Sequence, residues 1–327
     1  MSLQDILGQD RAIRLLQRSK ESPAHAYLFH GPDGVGKRST ATHFAKTMFC
    51  KGSGTDCCDQ CNPCQKVDRG THPDFIVVEP ENNKIRIETI RGIVQEVGKK
   101  PFEADQKIIL FDEAHRMTNS AANALLKQLE EPPGSAIFFL ITSNLGAILP
   151  TIRSRCRSVP FVRLDSRLMK RVLEKNYSDR LDREELWIAL ARGRPGRLVE
   201  FDLEKEQQVR VEVIRLLEEV PGFTPPQLLE RSKSLGAKKE ELESLVGYFQ
   251  EVVRDLILLK LGGDPNELLN IDIVERLQFL ADQFPENILF EFFEVLRSIE
   301  RVKDLNPNPQ LLWDSTLIKI TQAVRPL

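Results

Sequence analysis

None of the hydrophobic stretches in this sequence approaches the roughly 20 residues that a membrane-spanning helix needs. Its first residues, Met1-Ser2-Leu3-Gln4-Asp5, carry neither the basic nor the apolar region of a secretory leader. A cytoplasmic protein without a membrane partner is therefore expected. An excess of charge of one sign is also missing: 46 basic against 48 acidic residues leave a formal charge of −2. No overall basic surface is available to draw a phosphate backbone, so any nucleic-acid contact has to be local or shared with partners. Aromatic residues are sparse at 7%, and internal repeats and low-complexity tails are absent. Cysteines are few, but five of the six fall between positions 50 and 64. Such crowding suits metal ligation in a reducing compartment better than a disulfide framework.

The length of 327 residues, with 41% hydrophobic and 29% charged residues, describes a globular chain of two or three domains. From residue 26 to about 161, short apolar runs alternate with helical patterns. Ala26–His30, Phe75–Val78, Lys107–Asp112, Ala136–Thr142 and Ser158–Phe161 read as strands. Near-continuous apolar runs are what a parallel sheet covered on both faces requires, and the alternation predicts a doubly wound α/β domain. Ala121, Ala122, Leu125, Leu126 and Leu129 recur at helical spacing, with Pro132-Pro133 ending that helix. Beyond residue 165 strand signals cease. Residues 166 to about 207 read as helical around a turn at Arg192–Arg197, and the remainder as amphipathic helices broken at Pro221-Gly222, Gly262–Pro265, Phe284-Pro285 and Asn306–Pro309.

Between the first strand and a helix predicted over Ser39–Cys50 lies Gly31-Pro32-Asp33-Gly34-Val35-Gly36-Lys37-Arg38-Ser39. Strand, glycine-rich loop and helix make a phosphate-binding loop, in which backbone N–H groups cradle a polyphosphate, the lysine reaches its outer phosphates, and a terminal Ser or Thr holds Mg²⁺. Gly31, Gly34, Gly36 and Lys37 fit that pattern for ATP. Arg38 stands where the metal-binding hydroxyl belongs. Ser39 follows, but one step along a helix rotates a side chain by about 100°, which makes it a poor substitute.

Asp112 and Glu113 follow a buried strand, at the edge where open α/β sheets bind ligands. The first would suit Mg²⁺ and the second an attacking water. Ser154-Arg155-Cys156 presents an arginine that is either solvated surface or a phosphate-facing cation. Cys50, Cys58, Cys61 and Cys64 give the spacing C-x7-C-x2-C-x2-C, with Cys57 adjacent, in a stretch whose Gly52, Gly54, Asn62 and Pro63 read as turns. Four thiolates close a tetrahedral Zn²⁺ shell with no open position, a structural site; an iron–sulfur cluster is the alternative, and Cys57 competes with Cys58 as second ligand.

Taken in order, these residues resemble the bacterial clamp-loader members of the AAA+ ATPases. The resemblance runs through Ile6–Gln9, His25–Phe29, Thr71–Asp74, Asp112–His115, Leu125–Pro133, Ser154–Cys156 and Pro195–Arg197, and more weakly through Asp255–Leu261 and Asn306–Pro309. It implies an AAA+ core over 1–165 with a zinc module at 50–64, a helical lid over 166–207 and a helical collar over 208–327 that joins subunits in a ring. It also implies Cys58 as the second zinc ligand, Arg197 as a lid sensor arginine, and Ser143 or Asn144 as a strand-end sensor. Arg38 and the chain's ending soon after the collar separate it from the family's ATPase subunits. The resemblance therefore implies a poorly active member of a five-subunit loader. Such a member offers Arg155 in trans to a gamma/tau-type ATPase neighbour, beside a delta-type subunit, in loading a sliding clamp on primed DNA. The competing readings are a gamma/tau-like ATPase with an altered loop, in which Glu113 is active and not vestigial, and a zinc-containing nucleic-acid-binding module.

Overall fold

A computed structural model describes residues 3–52, 54, 56–132, 134–199, 202–234, 239–302 and 308–324. Pro133, Asn306 and Pro307, used above as helix breakers or family marks, lie outside the described residues. Contacts divide the chain into two compact units, 1–164 with 194–197, and 165–193 with 198–327.

In the first unit, β1 (Ala26–His30), β2 (Phe75–Val78), β3 (Lys107–Phe111), β4 (Ala136–Thr142) and β5 (Arg157–Pro160) form a five-stranded sheet in the order β2-β3-β4-β1-β5. Every pairing is parallel, with Ala26 beside Phe138, Phe75 beside Ile108 and Lys107 beside Ala136. The apolar runs are continuous because each strand feeds two cores. Ala136, Phe138 and Leu140 face one, with Ile90 and Val97 of α4 (Ile87–Val97) and Ala121, Leu125 and Leu129 of α5 (Asn119–Glu130). Ile137, Phe139 and Ile141 face the other, with Ala12 and Leu16 of α1 (Asp10–Ser19) and Ala41, Phe44 and Phe49 of α2 (Lys37–Phe49). Helices thus cover both faces, as the period-two geometry of a strand dictates.

The turn read at Asn62-Pro63 is instead the start of a short helix, α3 (Asn62–Asp68), because proline fits the first turn of a helix, where no intrahelical N–H bond is lost. Likewise α2 begins at Lys37, two residues earlier than the sequence pattern predicts, with Gly36 at φ 96° turning the chain into it. Helix α4 carries no sequence motif and is marked only by its packing on the sheet. A four-residue helix, α6 (Pro150–Arg153), precedes Arg155.

Within Thr71–Asp74 the acid is structural. Asp74 is fully buried and accepts hydrogen bonds from the N–H groups of Phe102 (2.7 Å), Glu103 (2.8 Å) and Ala104 (3.0 Å), pinning the loop before β3. His72 stacks on Phe49 with ring centroids 4.1 Å apart, also a structural use.

Among the described residues the second unit carries helices and no strand: α7 (Ser166–Asn176), α8 (Glu184–Ala191), α9 (Leu203–Glu219), α10 (Pro225–Ser234), α11 (Lys239–Lys260), α12 (Val274–Gln283), α13 (Glu286–Val302) and α14 (Pro309–Val324). Val213, Leu216 and Leu217 join Leu245, Val246, Phe249, Val252 and Val253 in one core with Phe292 and Trp313. The apolar face of α11 is therefore interior from Leu245 onward. Buried charges are paired: Arg210 grips Asp272 at 2.7 and 2.6 Å, and the Nε of Arg192 lies 2.7 Å from Glu251 while its guanidinium sits 3.3 Å over the Tyr248 ring.

Burial opposes ionisation of Asp74, yet the N–H groups of Glu103, Phe102 and Ala104 hold its carboxyl below the ordinary value. The stabilisation is therefore complete above about pH 4, the unfolded value, and is lost as pH falls through the folded one. Asp74→Asn is expected to cost about 2 kcal/mol or more at neutral pH. In urea melts the gap to wild type should narrow below about pH 4; a gap that stays constant with pH would show that the charge is not what holds the loop.

Candidate functional site: a phosphate loop without its hydroxyl, and a four-cysteine cluster

Helix α2 is locked to the sheet by rings. Phe44 stacks on Phe139 (centroids 5.5 Å, 19° between planes) and meets Tyr27 edge-on at 5.3 Å. The loop between β1 and α2 is therefore held at both ends. Gly31 adopts φ 145° against Phe161, whose carbonyl oxygen a Cβ would approach to 2.3 Å, so no larger residue fits there. Gly34, at φ 70°, accepts a 2.7 Å hydrogen bond from the N–H of Gly196. That bond brings Arg194–Arg197 onto the phosphate loop, Arg197 included, and the two glycines touch backbone to backbone.

Lys37 opens α2 with its side chain only 6% exposed. Its Nζ donates to the carbonyls of Gly31 (2.7 Å) and Pro32 (2.5 Å). Burial lowers its pKa, against the opposing pull of Asp33 and Asp112.

The guanidinium of Arg38 spans the ends of two strands. Nη1 donates to Oδ2 of Asp112 at 2.9 Å, just past β3, and Nη2 lies 2.5 Å from Oε1 of Glu79, just past β2. The other oxygen of Asp112 accepts the N–H of Glu113 at 3.0 Å. Glu113 sits in the left-handed region at φ 45° and pairs with Arg116 at 3.0 Å. Ser39 is exposed on the next position of the helix. This donor set does not fit Mg²⁺: the hydroxyl ligand is replaced by a cation, and the carboxylate that would help hold the metal is already engaged by it.

Arg155 lies at the surface with its Nη2 2.8 Å from Oε1 of Glu130, at the end of α5, and its Nη1 3.1 Å from the carbonyl of Thr151. At the end of β4, the side chain of Asn144 caps the following 3-10 turn by accepting from Ala147 N–H at 3.2 Å, beside Ser143. Thr142, one residue earlier and fully buried, meets Nδ1 of His115 at 3.3 Å. Cys156 packs against the sheet core, and burial pushes its thiol up to about 12.

The sulfurs of Cys50, Cys58, Cys61 and Cys64 all lie within 4.8 Å of one another. Cys50 follows the last turn of α2, and Cys64 is held on α3. Four sulfurs about 2.3 Å from a tetrahedral zinc would stand roughly 3.8 Å apart, close to the 3.4 Å of Cys61–Cys64 and the 4.0 Å of Cys61–Cys50. The donor set fits a metal ion. Backbone N–H groups of Gln60 and Cys61 draw the Cys58 thiol down to about 6. Cys57 points away and donates to Asp59 at 3.3 Å; burial and that carboxylate push its thiol up to about 12. Lys46 of α2, 1% exposed, joins this module to the helix through Asp59 (2.5 Å) and Asp68 (2.8 Å).

The family described as "DNA polymerase III, delta subunit" matches residues 8–165. The DNA polymerase III subunit delta' of Pseudomonas aeruginosa is 31% identical over 286 residues, covering 85% of this chain and 85% of its own. This chain belongs to the DNA polymerase III delta-prime family. The delta' subunit of Bacillus subtilis is 28% identical over 323 residues, covering 96% of this chain and 97% of its own. The tau subunit of the same organism is also 28% identical, over 98% of this chain but 61% of its own. The parallel sheet and the glycine-rich loop after β1 form a P-loop α/β core.

Sequence reasoning missed Glu79, Glu130 and Thr142. Each acts through a partner distant in sequence, so no local motif marks it. It also missed Gly196 as a backbone neighbour of Gly34, since Pro195-Gly196-Arg197 lies more than 160 positions away in the chain.

If the four sulfurs form the site, Cys61→Ser is expected to abolish the binding of about one metal ion per chain, and Cys57→Ser to leave it intact. Elemental analysis of protein purified without added metal measures both; full metal in the Cys61 variant would remove the assignment.

Proposed function

We propose that this chain is a clamp-loader subunit of DNA polymerase III that assists ATP hydrolysis by a neighbour and performs little of its own. The observation that carries this reading is the pairing of Arg38 with Asp112. Hydrolysis of ATP in such loops relies on a divalent ion to neutralise developing charge, and here a guanidinium sits against the carboxylate that would receive it. The glycines, Lys37 and the first N–H groups of α2 still suit a polyphosphate, so the reading is of a nucleotide-binding subunit with slow or absent turnover and a vestigial Glu113.

The partners are gamma/tau-type ATPase subunits and a delta-type subunit, five subunits in all. Together they place a sliding clamp on primed DNA in the cytoplasm during DNA replication. Arg155 is the group this chain lends. It lies at the surface, 36% exposed, with its guanidinium paired to Glu130 of the same chain. A guanidinium supplied in trans stabilises charge on the transferring phosphoryl group. Arg197, carried onto the phosphate loop by the Gly196–Gly34 contact, serves as the sensor arginine, with Ser143 or Asn144 at the end of β4. Residues 166–207 act as the lid and 208–327 as the collar. The four cysteines hold a structural Zn²⁺, which closes the module between α2 and β2 and supplies no chemistry.

Steady-state ATPase of this chain alone, and of the complex reconstituted with its gamma/tau-type partner, tests the reading. Alone, turnover should be at background. In the complex, Arg155→Ala should slow the site it serves by roughly a thousandfold, the lower range for such arginines. Turnover by the isolated chain that is lost in Lys37→Ala, or a complex indifferent to Arg155→Ala, would refute it.

A further inference from the structure

The corner of the phosphate loop where a metal would sit is filled by this chain's own cation. We propose that the Arg38 guanidinium replaces Mg²⁺ there, so that the loop takes a nucleotide polyphosphate free of divalent metal. The proposal rests on the nucleotide-binding reading above.

Three observations carry it. The first is that the acidic groups at the sheet edge are already neutralised. Arg38 reaches Asp112 at 2.9 Å and Glu79 at 2.5 Å, and Asp112 spends its second oxygen on the N–H of Glu113 at 3.0 Å. Mg²⁺ demands near-octahedral oxygen ligands at about 2.0–2.1 Å. To gain Asp112 it would have to displace a cation tethered one residue from Lys37, and the nearest hydroxyl, that of Ser39, is one helical step away.

The second is that the groups that hold phosphate oxygens remain. The N–H groups of Lys37, Arg38 and Ser39 have no acceptor inside α2 and stand at its positive end. Gly36, at φ 96°, has no atom within 4 Å of the place a Cβ would take, so space is open over the loop. Lys37 rests on the carbonyls of Gly31 and Pro32, acceptors that its flexible stem can exchange for phosphate oxygens.

The third is chemical. A guanidinium is a planar fork of N–H donors matched to phosphate as well as to carboxylate, and it cannot be deprotonated in a protein. Arg38, 53% exposed, has donor edges that can turn toward a ligand while one contact to the sheet edge is kept. It supplies positive charge that metal-free ATP or ADP otherwise lacks, but it is not positioned like a metal ion to bridge two phosphates.

The experiment measures binding of ATP and ADP to the full chain by calorimetry, in EDTA and in millimolar Mg²⁺, with thermal melting as a second readout. For wild type the two dissociation constants are expected to agree within about twofold, and each nucleotide should raise Tm equally with and without metal. Arg38→Ser restores the hydroxyl and frees Asp112; its binding should become at least about tenfold tighter in Mg²⁺ than in EDTA. Arg38→Lys keeps a cation and should remain indifferent to metal, so it decides the matter if the serine variant does not fold. A wild type that gains about tenfold or more from Mg²⁺, or that binds neither nucleotide in EDTA at millimolar concentration, would overturn the proposal. The effect of Arg155→Ala on the partner's ATPase is a separate measurement, so the assisting role can stand where this assignment fails.

Discussion

One guanidinium, that of Arg38, ties together two strand ends of the first unit. Arg38 reaches Glu79 after β2 and Asp112 after β3, so the carboxylates at that sheet edge are already paired. The pair with Glu79 is more than half exposed on both sides and contributes within about 1 kcal/mol to stability. The pair with Asp112 is better shielded, since that carboxylate's side chain is only 16% exposed.

What holds this corner in place is ordinary packing. The rings of Tyr27, Phe29, Phe44 and Phe139 meet at 5.3–5.6 Å and fix α2 on the sheet, and aromatic pairs of this kind are worth about 0.5–1.5 kcal/mol each beyond the area they bury. Two backbone approaches then shape the loop: Gly31 against Phe161, and Gly34 against Gly196. The cysteine module hangs on the same helix. Its tie is Lys46, a buried ammonium satisfied by Asp59 and Asp68, and removing either carboxylate would leave charge without full compensation in the interior. The four-cysteine cluster and the glycine-rich loop therefore occupy opposite ends of one helix, α2.

The second unit shows the same economy of charge in an all-helical setting. Arg192 takes the left-handed conformation at φ 57° at the end of α8, pairs with Glu251 and lies over Tyr248, and it runs so close to α11 that a Cβ on Gly247 would meet its Nη1 at 2.8 Å. Fully buried Asp255 gathers the N–H groups of Leu269 and Asn270 and the side-chain amide of Asn270. In the sequence, Asp255–Leu261 was a weak family mark. In the fold, its acid is the anchor of the turn that precedes α12.

By itself the sequence determined the strands, the phosphate loop with its missing hydroxyl, the four-cysteine spacing and the change to all-helical structure near residue 165. These are legible because each is local: hydrophobic period, glycine spacing and cysteine spacing act within a few residues of chain. The tertiary structure decided the rest. It set Cys58 among the sulfurs and turned Cys57 to Asp59, gave Asn144 a capping bond, and seated Gly196 on Gly34 across more than 160 positions. It also matched Arg38 with Glu79 and Asp112, and Arg155 with Glu130. A charged side chain has several partners within reach of its composition and only the fold brings one to hydrogen-bond distance, so the residue that was missing could be read from the letters, but what its replacement holds could be read only from the packed sheet edge.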